Sequence, residues 1–371
     1  MKIGIITWFK YENYGTKLQA VALQSYLRSQ GHDVQLIDFP IPELPGIRRK
    51  RSFIKRVYGR LNYMALQYAH KRYIDQFRRK SQRMERVINE QCIVTAPIED
   101  DNDYINTCNQ FELIICGSDQ IWNPNWYHAY YYADFPGIRV RKISYAPSIG
   151  ISKIPEDKKD DIRKSLASFS LVTVRENKAA SLLEPIIGYK PQIVLDPTML
   201  ITKEQWINMF ELDIQKEQRY VLCYFLTDNE NHWIAARKFS RENSMETRII
   251  PQMGFSYYRK GRKYMDAGVK EFLELIFNAE YVLTDSFHGT VFSLLFEKEV
   301  YIFERFKDDQ FFSQNDRVRD LVNEFGIKDH LLKYNNKRIE GISKINYTEV
   351  DDKLRKLRVQ SETILKNEIS R

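Results

Sequence analysis

Tyr281-Val282-Leu283-Thr284-Asp285-Ser286-Phe287-His288-Gly289-Thr290 reads as a strand, a polar turn and the approach to a helix in one stretch. Tyr281 to Thr284 is a short run of strand formers, and the apolar residues Val291 to Phe296 beyond the turn suit a helix. The strand–turn–helix pattern places His288 at the carboxyl end of a parallel strand. Open α/β sheets build ligand sites at that edge, beside helix N-termini whose free amides attract anions. The chain has only six histidines. His288 is therefore the first candidate for chemistry. An imidazole with its ordinary pKa of about 6.5 suits acid–base work near neutrality. Asp285 is expected to orient the ring, and Ser286, Gly289 and Thr290 to hold an anion.

The same pattern recurs toward the N-terminus. Lys2–Trp8 reads as a strand, Lys17–Gln30 as a helix stopped by Gly31, and Val34–Phe39 as the next strand. This βαβ unit favours a parallel sheet. Five strands of the first half end in small or polar turns, at Asn13–Lys17, Gly117–Gln120, Ala146–Gly150, Arg175–Asn177 and Asp196–Thr198. In a parallel sheet these turns share one rim. A second series of strands and helices begins near Arg219, and residues 348–369 read as a long charged helix. The expectation is two facing doubly wound, Rossmann-like α/β domains with a cleft between them. Residues 1–210 form the first, with a basic helical insertion at about 46–90. Residues 211–371 form the second, its last helix packing back on the first.

Within that cleft, Asn13, Gly15, Thr16 and Lys17 suit a phosphate at the start of the first helix, although no P-loop or dinucleotide motif is present. Asp119, after Gly117-Ser118, is a candidate base or sugar-hydroxyl ligand and equally a cap. Arg175 ends a strand where a guanidinium can clamp carboxylate or phosphate. Asp196 before Pro197 reads first as a rigid turn. Arg262 belongs to a basic loop that adds positive charge.

Composition narrows the classes. Apolar residues make up 43% and charged residues 29% of the 371-residue chain, as in a globular protein. No apolar run approaches the ~18–20 residues that span a bilayer, and Met1–Thr7 lacks a signal-peptide pattern, so a cytoplasmic enzyme is expected. The cysteines Cys92, Cys108, Cys116 and Cys223 show no metal or redox spacing, and no metal or cofactor is expected. From Arg48 to Arg86, fourteen Lys or Arg stand against Asp75 and Glu85, a local excess of twelve that exceeds the whole-chain charge of +8. Such a segment is either a solvated helical face or a contact for an anionic membrane surface. Without a nucleic-acid motif beside it, nucleic acid is not an expected partner.

Taken in order, Asn13-Tyr14-Gly15…Leu18-Gln19-Ala20, Gly117-Ser118-Asp119-Gln120-Ile121-Trp122-Asn123-Pro124, Ile143–Ala146, Val174-Arg175-Glu176, Val194–Thr198 and Thr284–Thr290 resemble the polysaccharide pyruvyl transferases over about residues 1–330. The resemblance implies a fold like the two-domain GT-B glycosyltransferases. It also implies transfer of pyruvate from phosphoenolpyruvate to a sugar of a cell-surface polysaccharide or its lipid-linked precursor, forming a ketal. His288 would then be the general acid or base and Arg175 the anion clamp. Similar family members carry Arg-Leu-His-Gly where this chain has Ser286-Phe287-His288-Gly289, so Arg175, Lys17 or Arg262 would supply the missing charge. Two other readings stay open: a transferase using a nucleotide-sugar or lipid-phosphate sugar in the same cleft, and a non-catalytic glycan- or membrane-binding protein. The basic segment fits an enzyme peripheral to the inner face of the cell membrane.

Overall fold

The computed structural model of the protein describes residues 1–40, 53–214, 219–307 and 313–371. Its first sheet is built from β1 (Lys2–Ile6), β2 (Asp33–Leu36), β3 (Leu113–Cys116), β4 (Arg141–Ser144) and β5 (Phe169–Leu171), in the order β2-β1-β3-β4-β5. All pairings are parallel. The central strands β1 and β3 are almost wholly apolar and buried, because helices cover both faces of the sheet. Helix α1 (Tyr14–Ser29) links β1 to β2. Two long helices, α2 (Phe53–Arg72) and α3 (Ile74–Gln91), and the shorter α4 (Asp101–Cys108) precede β3. Part of the basic insertion, 46–52, lies outside the described residues. Beyond β4 come α5 (Glu156–Leu166), a parallel pair β6 (Thr173–Val174) and β7 (Gln192–Ile193) flanking α6 (Asn177–Ile187), and α7 (Lys203–Phe210).

The second sheet contains β8 (Tyr220–Tyr224), β9 (Glu246–Ile249), β10 (Arg262–Lys263), β11 (Tyr281–Thr284), β12 (Glu299–Phe303) and β13 (Leu331–Leu332). Its parallel order, β10-β9-β8-β11-β12-β13, is the 3-2-1-4-5-6 order of dinucleotide-binding sheets. Around it lie α8 (Glu230–Glu242), α9 (Val269–Phe277), α10 (Phe287–Leu295), α11 (Asn315–Glu324) and α12 (Tyr347–Ile369). The architecture is the expected pair of doubly wound α/β units. Helix α12 crosses to the first unit, where Leu195 N donates to Ser361 Oγ at 3.0 Å and Arg141 Nη1 to the Glu368 carbonyl at 2.8 Å.

Two helices begin earlier than their apolar periodicity predicts. Asn13 Oδ1 accepts from Thr16 N at 3.1 Å, so α1 starts at Tyr14 and the expected turn is its first turn. Ser286 caps α10 in the same way, with Gly289 N donating to its Oγ at 3.2 Å. His288 is therefore the second residue of a helix. All nine residues of α10 are buried, so polarity does not mark its start.

One hydrophobic core runs through both units. Leu18, Val21 and Leu23 of α1 belong to the same cluster as Trp206, Phe272, Phe292 and Leu365. Tyr14 stacks on Phe272 with ring centroids 4.4 Å apart, and its hydroxyl donates to the Ala267 carbonyl at 2.7 Å. An aromatic pair of this kind adds about 0.5–1.5 kcal/mol beyond its buried area. The two helix starts are thus held face to face.

Candidate active site

In each sheet the strand order reverses beside a central strand, between β1 and β3 in the first and between β8 and β11 in the second. Helices α1 and α10 start at these two switch points, where open α/β sheets place ligands. They meet at Gly15. A Cβ built there would lie 1.8 Å from His288 Nδ1, so only glycine lets the imidazole approach the α1 backbone. Gly15→Ala would normally firm a helix by up to about 1 kcal/mol. Here it is expected to displace the ring, cost about 1–3 kcal/mol of stability through the clash and lower kcat about 100-fold. An unchanged kcat would mean that the position of His288 is immaterial.

The other ring nitrogen faces the first unit. His288 Nε2 lies 3.6 Å from Asp196 Oδ2, and Arg175 Nη1 reaches the same oxygen at 2.5 Å. Asp196 Oδ1 accepts from Thr198 N at 3.0 Å and Thr198 Oγ1 at 2.6 Å. Burial pushes the Asp196 carboxyl up, but the His288 ring, the Arg175 guanidinium and Thr198 outweigh it. The carboxyl is held well below the usual carboxylate range. Arg175 also stands 3.5 Å from Glu176 Oε2 and lies over the Phe287 ring, 4.2 Å from its centroid. Burial raises the Glu176 carboxyl against the pull of Arg175 and Ser148.

Arg175, Asp196, Phe287 and Arg317 line a cavity of about 70 Å³. His288 does not line it; Asp196 stands between the two. Arg317 Nη2 donates to Gln314 Oε1 at 2.8 Å, and the Gln120 amide, turned with its oxygen toward the guanidinium, accepts at 3.0 Å. Among the described residues Arg317 makes no ion pair. Burial first, then the neighbouring Arg175 and Arg305, lower its pKa to about 9. Arg175 Nε and Nη2, Arg305 Nε, Arg317 Nε and His288 Nε2 are buried without hydrogen-bond partners. The Glu176 Oε2 atom beside them is unpartnered as well, so the site holds three incompletely paired guanidinium groups against one open carboxylate oxygen.

Several expected ligands have other work. Asp285 does not orient His288; its carboxylate accepts from Leu226 N at 2.6 Å and Thr227 N at 3.1 Å, bridging the β8 and β11 loops. Asp196 occupies the place beside the ring instead. Lys17 is buried and donates to the Phe9 carbonyl at 2.9 Å, which turns it away from an anion on α1; burial lowers its pKa. Ser118 is sealed inside, its hydroxyl on the Ala146 carbonyl at 2.8 Å. Arg262 sits on the edge strand β10, its guanidinium 5.3 Å from the Tyr264 ring centroid. The Gly289 amide is taken by Ser286 Oγ, the Thr290 amide and hydroxyl by the Ser286 carbonyl, each at 3.0 Å. Asp119 Oδ2 accepts from Thr16 Oγ1 at 2.7 Å, closing the first switch point beside Gly15.

Sequence reasoning missed Arg305, Arg317 and Gln19. Gln19 joins the β1 and β3 ends, with Nε2 on the Trp8 carbonyl at 2.9 Å and Oε1 accepting from Ser118 N at 3.1 Å. An amide among the apolar residues of α1 was its available signal. Arg317 gave none, since a cation beside Val318 resembles any helix edge.

The model of the family described as polysaccharide pyruvyl transferase matches residues 13–305, which include both switch points, Arg175, Asp196 and His288. The chain belongs to the polysaccharide pyruvyl transferase family. It is a transferase. Among proteins with curated descriptions, none matches the sequence. Similar solved structures include a glycosyltransferase from Rickettsia africae at 9% identity, covering 100% of this chain and 98% of that one with a TM-score of 0.51. Another is the UDP-GlcNAc 2-epimerase from Methanocaldococcus jannaschii at 10% identity, covering 96% and 92% with a TM-score of 0.50. At these identities the likeness concerns the fold, a GT-B-like pair of Rossmann units.

Proposed function

We propose that the enzyme transfers pyruvate from phosphoenolpyruvate to a sugar of a cell-surface polysaccharide or its lipid-linked precursor, forming a pyruvate ketal. The observation that carries this reading is Arg317, a buried guanidinium without an ion pair among the described residues, lining the same cavity as Arg175. A donor bearing both a carboxylate and a phosphate would satisfy such a pair of cations. The first-turn amides of Phe287 and His288 add the positive end of α10.

In this reading one sugar hydroxyl adds to C2 of the donor as a proton reaches the methylene carbon. The C2–O bond to phosphate then breaks, and a second hydroxyl closes the ketal as its proton departs. The enol phosphate is thus consumed: the two hydroxyls give up two protons, one ends on the methylene carbon, which becomes a methyl, and the other leaves with inorganic phosphate. Arg175 holds donor charge, which replaces the arginine that relatives carry at the position of Ser286, while His288, across Asp196 from that cavity, takes the proton of the acceptor hydroxyl and Asp196 fixes its ring.

Thermal stability against phosphoenolpyruvate, phosphate and UDP-GlcNAc tests the donor. At 100 times its dissociation constant, phosphoenolpyruvate is expected to add about 2.7 kcal/mol, beyond any effect of phosphate, and to support ketal formation. A response to the nucleotide sugar alone would replace this reading with glycosyl transfer.

A further inference from the structure

Helix α2 uses one face to dock on the second unit. Asn62 Nδ2 donates to Asp228 Oδ2 at 2.7 Å, Gly254 N donates to Asn62 Oδ1 at 2.8 Å, and the Tyr58 hydroxyl reaches the Asp228 carbonyl at 2.8 Å. The face beside this contact, which meets the second unit only where the Tyr68 ring comes within 6.4 Å of Tyr258, should be polar if water were its other neighbour. It is not. Val57, Leu61, Met64 and Tyr68 recur at spacings of four, three and four, which form one stripe on a helix. They are 41%, 50%, 57% and 56% exposed. Tyr63 and Ile74 extend the apolar surface at 62% and 56%. At 1.5 Å per residue the stripe runs about 17 Å.

Charge selects what covers it. Helix α2 contains five Lys or Arg and no Asp or Glu. Exposed Arg60, Lys71 and Arg72 flank the stripe. Two copies packed through this face would bring like charges together, whereas an anionic lipid surface accepts both the apolar side chains and the cations. Tyrosines suit the headgroup level, where one end of the ring is wet. Among the described residues, no helix is long and apolar enough to cross a membrane. A helix lying in the interface needs no such length.

We infer that the outer face of α2 docks the enzyme on an anionic lipid surface. The helix rests on the loops after β8 and β9, on the same rim of the second sheet as Asp285 and His288. Docking sets that rim beside the lipid headgroups, where a lipid-linked acceptor would lie. The inference does not depend on the identity of the donor.

Co-sedimentation of the full chain with vesicles tests it without any substrate. With equal parts phosphatidylcholine and phosphatidylglycerol the protein is expected to pellet, and with phosphatidylcholine alone to remain in solution. Leu61→Glu with Met64→Glu abolishes pelleting, and Arg60→Glu with Lys71→Glu weakens it about tenfold or more. These side chains are exposed, so unchanged melting temperatures confirm intact folds. Wild-type protein left in the supernatant with mixed vesicles would overturn the inference, as would a Leu61→Glu, Met64→Glu variant that pellets normally. A wild-type dimer split by that variant would instead make the stripe a contact between copies.

Discussion

Arg175→Met is expected to cost about 3–5 kcal/mol of stability at neutral pH, measured by denaturant unfolding. Methionine fills much of the space but leaves Asp196 and Glu176 buried with a cation removed. The Arg175 side chain is 2% exposed, so water does not replace it. The sign of the pH dependence follows from the two carboxyls. Asp196 is depressed in the folded state, so its contribution is whole above the unfolded value of about 3.9 and is lost as pH falls through the lower folded value. Glu176 is raised by burial, so its ionisation opposes folding at higher pH. Removing Arg175 lifts both folded values. The deficit against wild type should therefore be largest near neutrality and shrink as the carboxyls protonate on acidification. A deficit of the same size at about pH 4 and pH 8 would reject the ionic explanation. Donor-dependent stabilisation should disappear in the same variant.

His288→Gln is expected to lower kcat for pyruvyl transfer by about 10²–10⁴-fold, the usual range for removing a positioned acid–base group. Glutamine keeps a polar group beside Asp196 but cannot carry the proton through the cycle. Because Arg175 and Arg317 remain, binding of the proposed donor, phosphoenolpyruvate, should persist, so that its KM changes far less than kcat. Single-turnover measurements of ketal formation would separate binding from chemistry. Activity within tenfold of wild type would remove His288 from the reaction and leave it a packing residue between α1 and α10.

The candidate site was legible wherever its signal was local. An apolar run, a small polar turn and an apolar helix are adjacent in sequence, so the strand leading to His288 and the helix after it could be read directly. Asn13 and Ser286 were also visible, although their capping roles moved both helix starts upstream. The same local reading could not choose a partner for His288. Asp285 is three residues away, but it precedes the Ser286 cap of the helix and its carboxylate accepts from the Leu226 and Thr227 amides. Asp196, which read first as a rigid turn before Pro197, both caps that turn and faces the ring.

The sequence by itself determined that two α/β units would face each other with His288 and Arg175 at their carboxyl rims, because strand and helix periodicities are written in neighbouring residues. Only the tertiary structure decided which charges meet. Lys17 turned inward to a carbonyl, Arg262 stayed on an edge strand, and Arg317 came to the cavity from a helix without any sequence mark. Packing decides this, since an ionic partner depends on the distance and burial that the folded chain imposes between residues far apart in sequence.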